Sequence, residues 1–495
     1  MNPEPSLPFD NSYACLPERF YTRQLPEPVS SPGLIRVNHA LARHLGIEPN
    51  WLESEPGVDF ITGNFIPIGA EPIATVYAGH QFGGWNPQLG DGRAILLGEI
   101  IAADGIRHDI QLKGSGRTPY SRAGDGRAPL GPVLREYIVS EAMAVLSVPT
   151  TRALAAATTG EELIREGLVP GAVLVRIAQS HIRIGTFQFF AAQKDFEALK
   201  ILVDHVIHRH YPEAAQADKP VRSMLDGVVA RQASLIAQWQ SLGFIHGVMN
   251  TDNMLLSGET VDYGPCAFMD EFDSGMVFSS IDQGGRYAYR NQPYIAHWNL
   301  SMLAQTLLPL LDDDQEKALG QGQAAIDAFP DLYMAAYQNV MREKLGVAKS
   351  GADDEVLIQD LLNLMQEEKT DFTLTFRRLS DLAGPEKEPV NGISSIFELP
   401  ETFAPWLDRW RKRLSDEAQD ASGRQAAMYA LNPAYIARNH LVEEVIDAAI
   451  NQQDFEPFHT LVEMLAQPFE FSDAHTRYAI PPRPEQIVRQ TFCGT

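Results

Sequence analysis

The chain has 495 residues, 44% hydrophobic and 21% charged, the balance of an ordinary globular protein long enough for about two to four domain-sized units. Its net charge of −24 argues against binding nucleic acid or an anionic membrane surface, so any nucleotide site has to gather Arg and Lys locally. Three cysteines (Cys15, Cys266, Cys493) exclude a disulfide scaffold, no apolar run is long enough to span a membrane, and the acidic, Pro-rich N-terminus does not read as a signal or transit peptide; the expected location is the cytoplasm.

Residues 1–30 are Pro-rich and irregular. GLIRVNHALARHLG then predicts a short helix, with Leu34, Val37, Leu41 and Leu45 on one face and Gly46 as its stop. Residues 50–72, rich in Gly, Pro and Asn, predict loop. Strands are expected from 73: IATVYA, AILLGEII, a hairpin turn at Asp104-Gly105, then IRHDIQLK. In IRHDIQLK, Ile106, Ile110 and Leu112 fall on one face and Arg107, Asp109, Gln111 and Lys113 on the other, so Lys113 ends a strand and points away from the apolar side. GPVLREYIVSEAMAVLSV predicts a helix with Glu136 in its first turn or two. VPGAVLVRIAQSHIRIGTFQFF predicts one or two more strands, carrying Arg176 and Arg183. From about 193 the pattern is helical: FEALKILVDHVIHRHYP, MLDGVVARQASLIAQWQSLGF ending at Gly243, and almost everything after 297.

A small β-rich part with one helix thus precedes a larger helical part. The expected fold class is α+β, a protein-kinase-like pair of lobes with the nucleotide between them. The expected division is an N-terminal extension over 1–72, an N-lobe over 73–192, a C-lobe with the metal and catalytic loop over 193–345, and a helical extension over 346–495.

The chemistry centres on residues 246–256, HGVMNTDNMLL. His246-Gly247 opens the stretch as it opens many phosphotransferase loops, and Asn253 stands where such loops keep a metal ligand. Asp262 follows in VDYG, a D-F-G equivalent with Tyr for Phe. MLLSGETV between them predicts two short strands about Ser257-Gly258, which would make Asn253 and Asp262 neighbours and a pair of oxygen ligands for a hard divalent ion. The slot of the kinase aspartate holds Val248, which can neither accept nor orient a hydroxyl proton; Asp252 is the one carboxylate left in the loop. Lys113 on a strand and Glu136 on the next helix match the ion pair that orients phosphates in kinases, although either residue alone is more often solvent-facing. GDGRA occurs twice, at Gly90–Ala94 and Gly124–Ala128, and fits no standard phosphate loop; tight turns account for it as well as phosphate contacts do. With Arg93 and Lys113, Arg176 and Arg183 would form a cationic pocket, the plain alternative being structural salt bridges.

Together HQFGGWNPQLGDGRA, DIQLKGSGRTPYSRAGDGRA, LREYIVSEAM, HGVMNTDNM, VDYGPCAFMD and NPAYIARNHL resemble the selenoprotein O family of kinase-fold proteins, over about residues 80–440. The resemblance implies transfer of AMP from ATP to protein Ser, Thr or Tyr hydroxyls by a fold once classed as a pseudokinase, with the nucleotide inverted so that its α-phosphate faces the acceptor. It implies nucleotide contacts at Gly90, Gly92, Arg93, Lys113, Asp125 and Gly126, with Lys113 braced by Glu136. It further implies a phosphate clamp at Arg176 and Arg183, Mg²⁺ or Mn²⁺ on Asn253 and Asp262, and Asp252 as proton acceptor. Eukaryotic members of the family carry a redox-active selenocysteine near the C-terminus; this chain ends TFCGT, which leaves a Cys266–Cys493 pair as the redox expectation. Expected partners are ATP and protein substrates, with no nucleic acid and no membrane. UMP transfer by the same site, a small-molecule phosphotransferase and a non-catalytic nucleotide-binding scaffold are the competing readings. Val248 weighs against the phosphotransferase, and Lys113, Asn253 and Asp262 weigh against the scaffold.

Overall fold

A computed structural model of the chain describes residues 7–385 and 393–492. Its N-terminal part is built on antiparallel strands. The strands are Tyr21–Arg23 (β1), Gly33–Val37 (β2), Ile73–Thr75 (β3), Gly79–Gln81 (β4), Gly84–Asn86 (β5), Ala94–Ile101 (β6), Arg107–Lys113 (β7), Ala128–Pro129 (β8), Arg152–Ile164 (β9) and Leu168–Ala178 (β10). The main sheet runs β1-β3-β6-β7-β10-β9-β2, with β8 on β10, while β4 and β5 form a separate hairpin. In register, Arg176 of β10 stands opposite Gln111 of β7, and Lys113 opposite Leu174. Alternation therefore puts Gln111, Lys113 and Arg176 on one face. Ile110, Leu112, Val175 and Ile177 on the other face pack with Leu41, Leu45, Phe60 and Ile61 of the N-terminal helices. The helix Leu130–Val145 covers the first face, sharing a core with Leu96, Ala172 and Leu174.

From 196 the chain is helical, with Phe196–His210, Pro220–Ser241 and Gln292–Leu311 as the longest elements near the site and a two-stranded pair, Phe244–Ile245 (β11) and Ala267–Phe268 (β12), flanking the 246–262 segment. This is the two-lobed, kinase-like α+β arrangement. No described helix is long and apolar enough to cross a membrane.

Four local expectations are corrected. GLIRVNHALARHLG is not one helix: residues up to Val37 form β2 on the edge of β9, and the helix is only His39–His44. Asn38 divides the two, its side chain accepting from Leu41 N, while β-branched Ile35 and Val37 suit the sheet. Residues 50–72 are not all loop: helices span Pro49–Leu52 and Glu55–Thr62, each with a proline in its first two positions, where the missing N–H costs nothing. Arg183 is not on a strand but caps the helix Ile184–Ala192. MLLSGETV is not a hairpin. Leu255 bridges to Arg183 and Thr260 to Thr150, so the segment pairs with the upstream chain rather than with itself. The long strand β9 had no counterpart in the sequence pattern. Its run Ala153–Ala157 is fully buried, four alanines and Leu154, as suits an inner strand covered on both faces.

Candidate functional site

A cleft of about 870 Å³ opens between the lobes, within the range of small-molecule sites. It is lined by Gly90, Gly92, Arg93, Lys113, Asp125, Gly126, Glu136, Arg176, Arg183, Val248, Asp252, Asn253 and Asp262. Every nucleotide, metal and catalytic residue singled out from the sequence thus meets in one place. Cys266 is buried away from that lining, and Cys493 lies outside the described residues.

The cleft's depth is built on β7 and β10. Lys113 Nζ donates to Glu136 Oε2 and, at 3.0 Å, to Asp262 Oδ1. Arg176 Nη1 reaches Glu136 Oε1 at 3.1 Å and Asp262 Oδ1 at 2.7 Å. Arg183 Nη1 donates to Asp262 Oδ2 at 2.9 Å and to the Asp252 carbonyl at 2.6 Å, with its guanidinium over the Tyr77 ring. Three cations therefore face two carboxylates, and of the two Asp262 keeps an open edge, with 24% of its side chain exposed. Burial pushes the Asp262 carboxyl up, but Lys113, Arg176 and Arg183 more than offset it and hold it well below the usual range. Glu136 is likewise lowered: burial opposes ionisation, and Lys113 and Arg176 overcome it.

Asp252 has the opposite environment. It is 6% exposed, and burial pushes its carboxyl up to about 6 against the pull of Arg183 and of a hydrogen bond from Gln81. Gln81 Nε2 donates to Oδ2 at 3.2 Å, while Oδ1 has no partner. The β4–β5 hairpin is fastened to this loop. His80 N donates to Thr251 Oγ1 at 2.7 Å and Phe82 N to Asn250 Oδ1 at 3.0 Å. Gly79 is required by close approach, because a Cβ there would stand 2.5 Å from Asp252 Oδ1. Asn253 Nδ2 donates to the Val248 carbonyl at 3.0 Å, which leaves its Oδ1 as the ligand end. His246 is fully buried. Its Nε2 donates to the Val261 carbonyl and its Nδ1 accepts from Val248 N, so one imidazole ties the loop to the segment carrying Asp262.

The two GDGR copies do different work. Asp91 is buried and its Oδ2 accepts from Thr75 N and Oγ1, which folds the turn under Gly90 and Gly92. Thr118 and Ser121 close over that turn through the Asp91 and Gly92 carbonyls. Asp125 instead accepts two bonds from Arg165, and Arg127 is taken up by the carbonyls of Glu27 and Pro28. Gly126 has φ +69°, and a Cβ would collide with the Gly116 carbonyl, so no other residue fits there.

Three contributors escaped the sequence reading: Gln81, Tyr77 and Gln111. Gln111 Oε1 accepts from Arg176 Nε and Nη2 at 3.1 and 2.6 Å. Its position two residues before Lys113, on the same strand face, was the one available signal.

The family model described as "Protein adenylyltransferase SelO" matches residues 3–466. The chain is 58% identical over 489 residues to the protein nucleotidyltransferase YdiU of Rhodopseudomonas palustris (strain BisB5), covering 99% of both chains. It is 57% identical over 494 residues to the protein of that name from Methylorubrum extorquens (strain PA1), again over 99% of both. The matches cover nearly the whole chain, and the protein belongs to the SelO family of protein nucleotidyltransferases.

Proposed function

We propose that this protein transfers AMP from ATP to Ser, Thr or Tyr hydroxyls of other proteins, with the nucleotide inverted so that its α-phosphate faces the acceptor. The observation that carries this reading is the joining, in one cleft, of a three-cation clamp around Asp262 with a buried carboxylate at Asp252 whose Oδ1 is unpartnered. The acceptor oxygen attacks the α-phosphorus, the bond to the bridging oxygen breaks, pyrophosphate leaves, and the hydroxyl proton passes to Asp252 Oδ1. A carboxyl titrating near 6 is ionised at neutral pH yet basic enough for that task. Val248 removes the base from where a γ-phosphoryl acceptor would approach.

Lys113, braced by Glu136, together with Arg176 and Arg183, binds the phosphates, exchanging contacts with Asp262 for contacts with phosphate oxygens. Gly90, Gly92, Arg93, Asp125 and Gly126 complete the nucleotide wall of the cleft. Asn253 and Asp262 fit a hard divalent ion, Mg²⁺ or Mn²⁺: both offer oxygen to the cleft, and of the two clamped carboxylates Asp262 keeps the open edge. Such an ion, when bound, neutralises phosphate charge. A Cys266–Cys493 disulfide is proposed separately. Thr491, two residues before Cys493, donates to the carbonyl of Pro265, the residue before Cys266. Mass spectrometry of non-reduced protein checks it, and two free thiols after mild oxidation would remove it.

The test of the main reading uses ATP labelled at the α- or the γ-phosphate, with acceptor proteins and either Mg²⁺ or Mn²⁺. Label on protein from α alone is expected. Label from γ alone would establish a kinase, and no label from either would favour a scaffold. α-labelled UTP in a parallel arm decides between AMP and UMP.

A further inference from the structure

The N-terminal face of the sheet carries a second group of ligating side chains, remote from the cleft lining. His44 ends the helix His39–His44, Asp104 sits in the turn between β6 and β7, and His108 lies on β7 opposite Ile100. Their donor atoms lie within 4.8 Å of one another, a grouping that no other three His, Cys, Asp or Glu residues make among the described residues. None of the three lines the cleft.

We propose that His44, Asp104 and His108 form a binding site for a divalent transition-metal ion of the zinc class, which clips the N-terminal helix to the β6–β7 turn.

An ordinary ion pair explains part of the group: His44 Nε2 and Asp104 Oδ2 are 3.2 Å apart, and each side chain is more than a third exposed. It does not explain His108. Both ring nitrogens of His108 are buried and neither has a hydrogen-bond partner. A neutral imidazole carries one donor and one acceptor, and leaving both unpaired is costly; a metal on one nitrogen satisfies the acceptor. Burial lowers the pKa of His108, which keeps the ring in the neutral form that ligates. Its ring meets His44 edge-on, with centroids 6.0 Å apart, so the two imidazoles converge rather than stack.

The donor set fits. Two imidazoles and one carboxylate are a common protein set for zinc, with a fourth position left to water or a partner's side chain. Ligands at about 2.0–2.1 Å in a tetrahedron stand roughly 3.3 Å apart, and His44 and Asp104 are already there. The third donor closes by at most roughly 1.5 Å from the present spacing, within reach of rotation about the part-exposed side chains. The backbone is already set for the clip, since Ala103 N donates to the His44 carbonyl at 3.0 Å and Asp104 Oδ1 accepts from Ile106 N at 2.8 Å.

The test is a Zn²⁺ titration of the metal-stripped full chain against a chromogenic chelator, comparing wild type with His44→Ala and Asp104→Asn. Wild type should bind one equivalent that each variant loses or binds at least about tenfold more weakly, with nucleotidyl transfer unchanged in both. Co²⁺ in place of Zn²⁺ should give the visible absorption of a four-coordinate site in wild type only. Undiminished Zn²⁺ affinity and stoichiometry in either variant, or no such Co²⁺ band in wild type, would overturn the proposal. Both substituted residues are part-exposed, so the test does not depend on replacing the more buried His108.

Discussion

Two of the arginine–carboxylate clusters in this molecule are charged in opposite senses. In the cleft, Lys113, Arg176 and Arg183 face Glu136 and Asp262, an excess of cation with one carboxylate edge open. In the C-terminal part, Arg438 is fully buried and alone faces Asp270 and Asp371. Its guanidinium also donates to Asp371 Oδ1 at 3.3 Å and to the Ala479 carbonyl at 3.0 Å. Burial, with Asp371 adding to it, pushes the Asp270 carboxyl up to about 6 despite Arg438. In the cleft the cations outweigh burial and Asp262 is held low. Buried charge by itself therefore marks no site. An excess of cation lining a cleft is poised for an anionic ligand, whereas the C-terminal cluster, one cation on two carboxylates and outside that lining, joins the segment 432–441 to Asp270, Asp371 and Ala479.

If that contrast is right, substitutions in the two clusters separate activity from stability. The largest effect is expected for Asp262→Ala, which should lower transfer of α-label by at least about 10³-fold while the protein stays folded. Retention of label by this variant would assign the activity elsewhere. Arg438→Met should do the reverse. It strands the buried Asp371 and the part-buried Asp270 and is expected to cost about 3–5 kcal/mol of unfolding free energy, measured by denaturant titration, with near-normal activity in the fraction that folds. A loss of activity without loss of stability would contradict the structural role given to Arg438.

Asp252→Asn should lower kcat by about 10²-fold or more with little change in KM for ATP. Its stability effect has a definite sign. The folded carboxyl titrates near 6 and the unfolded one near its ordinary 3.8, so between these values the folded state binds more protons and stability falls as pH rises through the window. Without nucleotide or divalent ion, Asp252→Asn should therefore match wild type near pH 4 and melt higher than wild type above pH 6. The smallest effect is expected for Gln81→Ala. Loss of its hydrogen bond, which lowers the Asp252 pKa, should move the acid limb of kcat to higher pH and reduce the rate by about tenfold or less. An acid limb that stays in place would remove Gln81 from the orienting role.

The strand carrying Lys113 was readable because IRHDIQLK alternates but for His108, and the helix carrying Glu136 because its apolar residues recur at helical spacing. Their ion pair follows from the packing of that helix on the strand's polar face. What misled was local composition. Gly and Pro in 50–72 hid two short helices begun by prolines, and the apolar spacing of 33–46 hid an edge strand whose pairing partner lies more than a hundred residues on. MLLSGETV has the residues of a hairpin, yet its bridges go to Arg183 and Thr150, a choice made by the upstream chain.

The sequence by itself pointed to the polar groups that the fold brings together in the cleft. Lys113, Glu136, Asp252, Asn253 and Asp262 stood out by their places in a strand, helix or loop pattern, whereas Arg176 and Arg183 gained a phosphate-clamp role only through the family resemblance, Arg183 from a segment expected as strand. The tertiary structure alone decided which carboxylate is held ionised and which is driven toward protonation. Asp252 and Asp262 are ten residues apart and chemically identical; three cations from β7, β10 and the cap of the helix Ile184–Ala192 converge on Asp262, while Asp252 is buried under a glycine hairpin with one weak donor. A pKa depends on solvent access and on charges within a few ångströms, and both are set by contacts between segments far apart in the chain.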